Sequence, residues 1–403
     1  MSKNILIKNN IKKKFYNNNL YLKDKKKINK IIKTIYNSFD TNKDTFHILS
    51  KKFELNINKI KLKRFDKYKT VVLIGMGGSI LGAQAIYSFY KKKINKKFIF
   101  LNNLDQSKIE EVKKNINYKE CLFIIISKSG NTLETLINVS LFKDKINNKN
   151  TIIITEKKES LLCNFAIDKN ILQINHKNYI GGRYSVLSEV GMIPAHFMGL
   201  KSNLFRKNLA SFFLLKKNSL LIDSAAKLKQ IYNSKKINTI IFLSYAPELN
   251  DFLYWCQQLL AESLGKKGKG ILPIVSQAPK DHHSLLQLYL DGPKDKLFYI
   301  FSLKSNKNMY VNKNVFGDAF KFAENQKLSK VIEEQKNALT KSLRNKNIPY
   351  RDFKVNKIEE ETFGELFSYF ISETALVGNL IGVDPFNQPA VEEVKNLAKH
   401  YLS

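Results

Sequence analysis

From residue 71 onwards, short runs of β-branched and aromatic residues alternate with stretches that have the apolar spacing of helices. The runs are VVLI, KFIFL, CLFIII, TIIIT and ILQI, followed in the second half by TIIFLSYA, ILPIV, LFYIFSL and YRDFKV. Strands that alternate with helices form parallel sheets covered by helices on both faces. The pattern therefore predicts an α/β fold with two doubly wound αβα sandwich domains, whose sheets are mainly parallel.

The chain has 403 residues, which is more than one hydrophobic core usually organises. We predict an N-terminal helical segment over 1–50, a first sandwich domain over 51–200 and a second over 201–403. The end of the chain, VEEVKNLAKHYLS, has the spacing of one amphipathic helix, which closes the second domain.

The formal net charge of +33 raises the question of a nucleic-acid partner. The lysines are spread along the whole chain among Asn and Ile, without a basic stripe interleaved with aromatic residues. We therefore expect no nucleic-acid partner, although a positive field attracts small anionic substrates. We also expect no membrane partner, because the longest apolar runs are far shorter than the about 18 residues of a membrane span.

The N-terminus has no apolar segment with a cleavage site, so we predict no signal peptide. Cys121, Cys163 and Cys256 are far apart and lack CxxC spacing, which is typical of reduced thiols rather than of a metal site or disulfides. Both features predict a cytoplasmic protein.

Two loops follow predicted strands and open predicted helices, which is where anions bind. The first is Gly77-Gly78-Ser79, and its alternative interpretation is a tight turn in which Ser79 caps the helix. The second is SKSGNTLET (127–135), which offers the hydroxyls of Ser127, Ser129 and Thr132 within six residues. Its alternative interpretation is that Thr132 and Glu134 only form a favourable start for the helix. Together the loops predict a site for a phosphate monoester.

Six stretches carry a resemblance to a known family. They are IGMGGSILGA (74–83), SKSGNTLET (127–135), IGGRYSVLSEVGMIPA (180–195), QQLLAESLGKKGKGILP (257–273), KDHHSLLQLYLDG (280–292) and GVDPFNQPAVEEVK (382–395). In this order, over most of 70–398, they resemble the glucose-6-phosphate isomerase family, which is built from two sugar isomerase (SIS) domains. The resemblance implies reversible isomerisation of glucose 6-phosphate to fructose 6-phosphate, no cofactor and a homodimer.

The resemblance also implies a role for each matching residue. Glu262 is the expected catalytic base, and Arg183 is expected beside the reacting carbon–carbon bond. His283 and Lys395 are expected to serve ring opening, and Gln388 to contact the substrate. Gly78 and Ser79 are expected to approach the sugar, and the 6-phosphate to be held by Ser127, Ser129, Thr132 and the backbone of Lys128. His283 is expected to reach the site of the neighbouring subunit.

These residue types suit the chemistry. A glutamate is ionised at neutral pH, arginine keeps its charge beside an enediolate, and histidine exchanges protons near neutral pH. From spacing alone, a surface glutamate paired with Lys266 is the favoured interpretation of Glu262, and only the family motif reverses that preference. No metal is expected, because the sequence has no HExxH motif and no other His, Asp or Glu cluster of ligand spacing.

The sequence departs from the family pattern at Gly130-Asn131, at Ala261, and at Asn387, where an aspartate is usual. His282 and His283 are adjacent, and His283 is chosen because it keeps the family spacing to Gly292. Two alternatives stay open: an isomerase that also accepts mannose 6-phosphate, and a non-catalytic sugar-phosphate sensor. A sensor would not need Arg183, Glu262, His283 and Lys395 together.

Overall fold

The computed structural model describes residues 4–41, 43–214, 219–305 and 307–402. Its strands are β1 Ile5–Asn9, β2 Thr70–Gly75, β3 Lys97–Leu101, β4 Cys121–Ile126, β5 Thr151–Thr155, β6 Leu172–Asn175, β7 Thr239–Ser244, β8 Leu272–Gln277, β9 Lys296–Leu303 and β10 Tyr350–Val355. Its helices are α1 Asn18–Ser38, α2 Lys59–Lys63, α3 Leu81–Tyr90, α4 Gln106–Asn115, α5 Leu133–Leu141, α6 Leu161–Asp168, α7 Glu189–Phe197, α8 Ser202–Phe205, α9 Ser219–Ser234, α10 Asn250–Leu264, α11 Leu286–Asp291, α12 Leu328–Asn345, α13 Glu360–Ile381 and α14 Ala390–Leu402.

The strands form two five-stranded sheets, which confirms the predicted fold class. The first has the order β3-β2-β4-β5-β6 and is parallel throughout. The second has the order β1-β10-β9-β7-β8 and is parallel except for β1. In both sheets the order reverses direction near the middle, which opens a crevice at the carboxyl ends of the strands.

Successive residues of each central strand are buried on opposite faces. In β2, Val71 and Leu73 belong to one core, whereas Val72 and Ile74 belong to another. This period of two explains why the strand is apolar without interruption, because helices cover both faces of the sheet.

The core that contains Val71 and Leu73 extends into the second half of the chain, where it includes Ile240 and Phe242 of β7. Helices α3 and α10 pack against each other in this shared layer, and α13 packs against α10. The two sheets therefore share one layer of helices. The predicted domain boundaries at residues 50 and 200 stay a prediction.

The N-terminal segment differs from the prediction of a purely helical stretch. Residues Ile5–Asn9 form β1, which pairs antiparallel with β10, and Ile5 lies opposite Val355. The five residues are too short for their periodicity to stand out, and their partner lies about 350 residues away, so only the tertiary fold reveals the strand. The long helix α1 follows it, as the prediction had it.

Among residues 4–41, 43–214, 219–305 and 307–402, no helix has both the length and the apolar character needed to cross a membrane.

Candidate active site

The turn after β4 brings three hydroxyl groups to one point. Ser127 Oγ lies 3.0 Å from Thr132 Oγ1, which lies 3.4 Å from Ser129 Oγ. Gly130 has a φ of +70°, and a Cβ there would lie 2.1 Å from Ser160 Oγ, so this turn requires glycine. Thr132 is the N-cap residue of α5, yet its side chain makes no capping hydrogen bond. Its hydroxyl faces the two serines instead, which favours the phosphate interpretation over the capping one.

The side chain of Lys128 leaves this turn. Its Nζ donates to the carbonyl of Asn178 at 2.8 Å and lies 3.5 Å from Glu156 Oε1. Burial lowers the pKa of Lys128, Glu156 opposes that effect, and the charge of Arg183 adds slightly to it. The side chain of Lys128 therefore does not serve the hydroxyl cluster, and the role of its backbone stays a prediction.

The turn after β2 lies directly against the segment that carries Arg183. A Cβ on Gly78 would lie 2.3 Å from the carbonyl carbon of Gly182 and 2.4 Å from the nitrogen of Arg183. Only glycine allows this approach. The N-cap of α3 is Ile80 rather than Ser79, and no side chain caps that helix. The alternative that Ser79 is a helix cap is therefore wrong.

Arg183 is the buried centre of the site, with a side chain that is 2% exposed. All of its guanidinium donors have acceptors. Nε donates to Ser263 Oγ at 2.8 Å, and Nη1 donates to Glu262 Oε2 at 3.1 Å and to Gln388 Oε1 at 2.9 Å. Nη2 donates to the carbonyl oxygens of Pro385 at 2.7 Å and Asn387 at 2.9 Å. Its own carbonyl accepts from Trp255 Nε1 at 3.2 Å. Three distant parts of the chain therefore meet at one side chain.

Glu262 lies near the end of α10 and is held on both carboxylate oxygens. Oε2 accepts from Arg183, and Oε1 accepts from Gln258 Nε2 at 2.9 Å. The alternative partner Lys266 donates to the carbonyl of Asp384 instead. Sequence reasoning missed Gln258, although its position four residues before Glu262 places both on one helix face.

The loop between α13 and α14 closes the centre. Gln388 contacts Arg183 through its side-chain oxygen, whereas Asn387 uses its backbone carbonyl. The replacement of the usual aspartate by Asn387 leaves this contact intact, because a carbonyl is present whatever the side chain.

The adjacent histidines have different surroundings. His282 Nε2 lies 2.7 Å from the hydroxyl of Tyr245, and burial together with the charge of His283 lowers the pKa of His282. His283 is exposed. No hydrogen bond or ion pair among the described residues joins His283 to Arg183 or Glu262.

Lys395 is also outside the buried centre. It lies on α14, is about half exposed and pairs with Glu392 Oε1 at 2.7 Å. No residue of α14 is buried, and its Val391, Val394, Leu397 and Tyr401 form an exposed apolar stripe. The structure therefore assembles Arg183, Glu262 and Gln388 but leaves His283 and Lys395 apart from them.

The fold is similar to that of a solved glucose-6-phosphate isomerase from Chlamydia trachomatis, with a TM-score of 0.81 at 18% identity, over 100% of this chain and 89% of that one. This likeness defines the fold as that of SIS-type phosphosugar isomerases. A glucose-6-phosphate isomerase from Methanocaldococcus jannaschii is 33% identical over 356 residues, 84% of this chain and 86% of that protein. One from Mycoplasmopsis synoviae is 32% identical over 355 residues, 82% of this chain and 81% of that protein.

The family described as phosphoglucose isomerase matches residues 25–403, so the chain belongs to the phosphoglucose isomerase family. It is an isomerase, and its reaction is the reversible conversion of glucose 6-phosphate into fructose 6-phosphate. The resemblance predicted from the six motifs is thereby confirmed.

Proposed function

We propose that Glu262 is the base that carries the proton between C2 and C1 of the open-chain sugar, and that Arg183 stabilises the intermediate enediolate. The observation that carries this proposal is the 3.1 Å contact between Arg183 Nη1 and Glu262 Oε2. The guanidinium is 2% exposed, whereas the carboxylate is 33% exposed. The base can therefore reach a substrate while its counterion stays in place.

The five N–H donors of Arg183 suit both charge states of the reaction. When Glu262 takes the proton from C2, its carboxylate becomes neutral and the negative charge passes to the enediolate oxygen. The hydrogen bond from Nη1 to Glu262 then weakens, and Nη1 becomes available to the enediolate. Return of the proton to C1, together with transfer of the hydroxyl proton from O2 to O1, yields the ketose and restores the ion pair. One fixed cation serves both states without reorganisation.

The hydroxyl cluster after β4 is proposed to hold the 6-phosphate. Ser127, Ser129 and Thr132 offer three donors, and the turn opens α5, whose first N–H groups favour an anion. We assign the adjacent wall to Gly78, which lies against the backbone of Arg183, and to Ser79, which follows it; β2 and β4, whose turns carry these groups, are neighbours in the sheet. A sugar anchored by its phosphate would present its other end to Glu262.

Ring opening is assigned to His283 and Lys395, with Gln388 as a substrate contact. Lys395 is seven residues beyond Gln388, which already lies at the buried centre. The exposed apolar stripe of α14 and the exposure of His283 support a further step, in which these two elements pack against another surface before His283 and Lys395 act.

A homodimer supplies such a step for His283, which would enter the site of the second copy. The test is to mix Glu262→Gln and His283→Gln variants after partial denaturation and refolding. If His283 acts in the partner's site, mixed dimers contain one intact site, and activity recovers to about a quarter of the wild-type value. Activity that stays at the level of the separate variants would contradict the exchange.

A cytoplasmic location is proposed from the thiols. Cys121, Cys163 and Cys256 are all buried and free. Burial raises the pKa of Cys121 to about 12, so its thiol stays protonated and unreactive.

The variant Glu262→Gln tests the assignment of the base. Loss of the carboxylate is expected to lower kcat by about 10³-fold or more. Binding of glucitol 6-phosphate, which has the phosphate but no carbonyl group, should stay unchanged by calorimetry. The matched control is Glu111→Gln on α4, outside the site. Wild-type turnover by Glu262→Gln would contradict the proposal.

A coupled assay with fructose 6-phosphate as the substrate should measure the formation of glucose 6-phosphate and of mannose 6-phosphate separately.

A further inference from the structure

Arg183 and three groups around it form a closed hydrogen-bonded ring. Arg183 Nε donates to Ser263 Oγ at 2.8 Å, and Ser263 Oγ lies 2.8 Å from the hydroxyl of Tyr184. The Tyr184 hydroxyl donates to the carbonyl of Pro385 at 3.0 Å. The same carbonyl accepts from Arg183 Nη2 at 2.7 Å, which closes the ring.

The directions of these hydrogen bonds follow from the number of protons. Tyr184 has one hydroxyl proton, and it is donated to Pro385, so the Tyr184 oxygen accepts from Ser263. Ser263 in turn accepts from Arg183 Nε. Each hydroxyl therefore donates once and accepts once, with no donor left over.

The ring lies in the protein interior. Tyr184 and Ser263 are both 0% exposed. Burial raises the pKa of the Tyr184 hydroxyl to about 12, while Arg183 and Ser263 counteract it, so the proton stays on the oxygen at neutral pH. In a buried site, hydrogen bonds that are all satisfied hold their members in one arrangement.

The ring holds the two edges of the guanidinium that face away from Glu262. Nε is bound to Ser263 and Nη2 to Pro385, which leaves Nη1 as the group that contacts the carboxylate. Ser263 directly follows Glu262 on α10, and Pro385 lies in the loop that carries Gln388. The hydroxyls of Tyr184 and Ser263 therefore connect the cation, the helix of the base and the closing loop.

We infer that Tyr184 and Ser263 are positioning residues, whose hydroxyls hold the Arg183 guanidinium in the orientation that serves proton transfer. The inference rests on the roles proposed for Arg183 and Glu262. Neither hydroxyl has to touch the substrate. Since the orientation matters most when charge develops on the enediolate, loss of a hydroxyl should affect kcat rather than KM.

The first test is Tyr184→Phe, which removes one oxygen atom and keeps the aromatic side chain that packs against Phe386. We expect kcat for fructose 6-phosphate to fall between about 10-fold and about 100-fold, with KM within about two-fold of the wild-type value. Ser263→Ala should change kcat in the same direction. The matched control is Tyr90→Phe, because Tyr90 is buried and its hydroxyl has no hydrogen-bond partner among the described residues. Its kcat should equal that of the wild type.

A double-mutant cycle separates positioning from a merely structural role. In an Arg183→Gln background, Tyr184→Phe should lower kcat no further, because the group that it positions is gone. An equal loss of kcat in both backgrounds would overturn the inference. It would also be overturned if Tyr184→Phe kept the wild-type kcat while Arg183→Gln had a lowered one. Wild-type turnover by Arg183→Gln itself would instead refute the proposed role of Arg183, so the two failures are distinguishable. Circular dichroism and melting curves on each variant check that kcat refers to folded protein.

Discussion

The two halves of the proposed site are built differently. Around Arg183 and Glu262, a guanidinium that is 2% exposed has acceptors for all five of its donors. His283 is exposed, and Lys395 lies on a helix that has no buried residue. One chain therefore brings together the residues proposed for proton transfer, whereas the residues proposed for ring opening lie apart from them.

The difference follows from what each step needs. Removal of a weakly acidic C–H proton needs a base and a cation that are already oriented in a site with little water. Ring opening moves protons between oxygen atoms, and acid and base groups can perform it once the substrate has bound. The buried half should thus tolerate less change than the exposed half, and the following predictions test that ranking.

After Glu262→Gln, the largest effect is expected for Arg183→Lys. Lysine keeps the charge but presents one ammonium group in place of a planar fork, so the five existing contacts cannot all form. We expect kcat to fall by about 10²-fold to 10³-fold in a coupled assay. The control is Arg344→Lys at the end of α12, outside the site. If Arg183→Lys retained most of its turnover, charge alone would suffice and the contrast between the halves would lose its basis.

A smaller effect is expected at the adjacent histidines. His283→Gln should lower kcat by about 10-fold to 100-fold, because an exchangeable proton is lost from ring opening. His282→Gln should have little effect on kcat, since His282 is engaged by the Tyr245 hydroxyl at 2.7 Å. Steady-state kinetics with glucose 6-phosphate measures both. The opposite ranking would assign the role to His282.

The next effect concerns α14. Lys395→Ala should lower kcat by about 10-fold, because the helix must bring this ammonium group to the substrate. Lys399→Ala is the matched control, since it removes an exposed lysine one turn further along the same helix. Equal activities of the two variants would remove Lys395 from the mechanism and leave ring opening to His283.

The last effect concerns stability rather than turnover, and it distinguishes a buried histidine from an exposed one. His176 is 2% exposed, its Nδ1 lies 3.1 Å from the carbonyl of Lys177, and its buried Nε2 has no hydrogen-bond partner among the described residues. The pKa of His176 is lowered from 6.5 to about 4. Burial is the main cause and the charge of Lys128 adds to it, while the hydrogen bond to Lys177 and the charges of Glu156 and Glu189 oppose the shift.

The sign follows from proton binding. The unfolded chain binds this proton first as the pH falls, so the contribution of His176 is complete above pH 6.5 and is lost between pH 6.5 and 4. The loss is at most about 3 kcal/mol in the free energy of unfolding. Urea titrations at several pH values should show a weaker pH dependence in His176→Gln and an unchanged one in His283→Gln. An unchanged dependence in His176→Gln would mean that other groups cause it.

Much of the fold follows from local sequence. KFIFL, CLFIII and TIIIT coincide with β3, β4 and β5, because long β-branched runs bounded by turn residues have few alternatives to a buried strand. The glycine-rich turn after β2 and the hydroxyl-rich turn after β4 could also be predicted from the sequence, since helix starts that can bind anions are rich in such residues. By contrast, β1 was not, because a five-residue strand at the sheet edge depends on its partner β10.

The sequence by itself determined the class of fold, the family and the candidate residues, because strand runs and ordered motifs are local properties of the chain. Only the tertiary structure decided which candidates meet. Arg183 contacts Glu262 and Gln388, which are 79 and 205 residues away. Ser263 and Tyr184 also hold Arg183, and Gln258 holds Glu262, although none of the three stood out as a candidate. Such contacts depend on how the helices of the shared layer pack between the two sheets, and no local period records that packing.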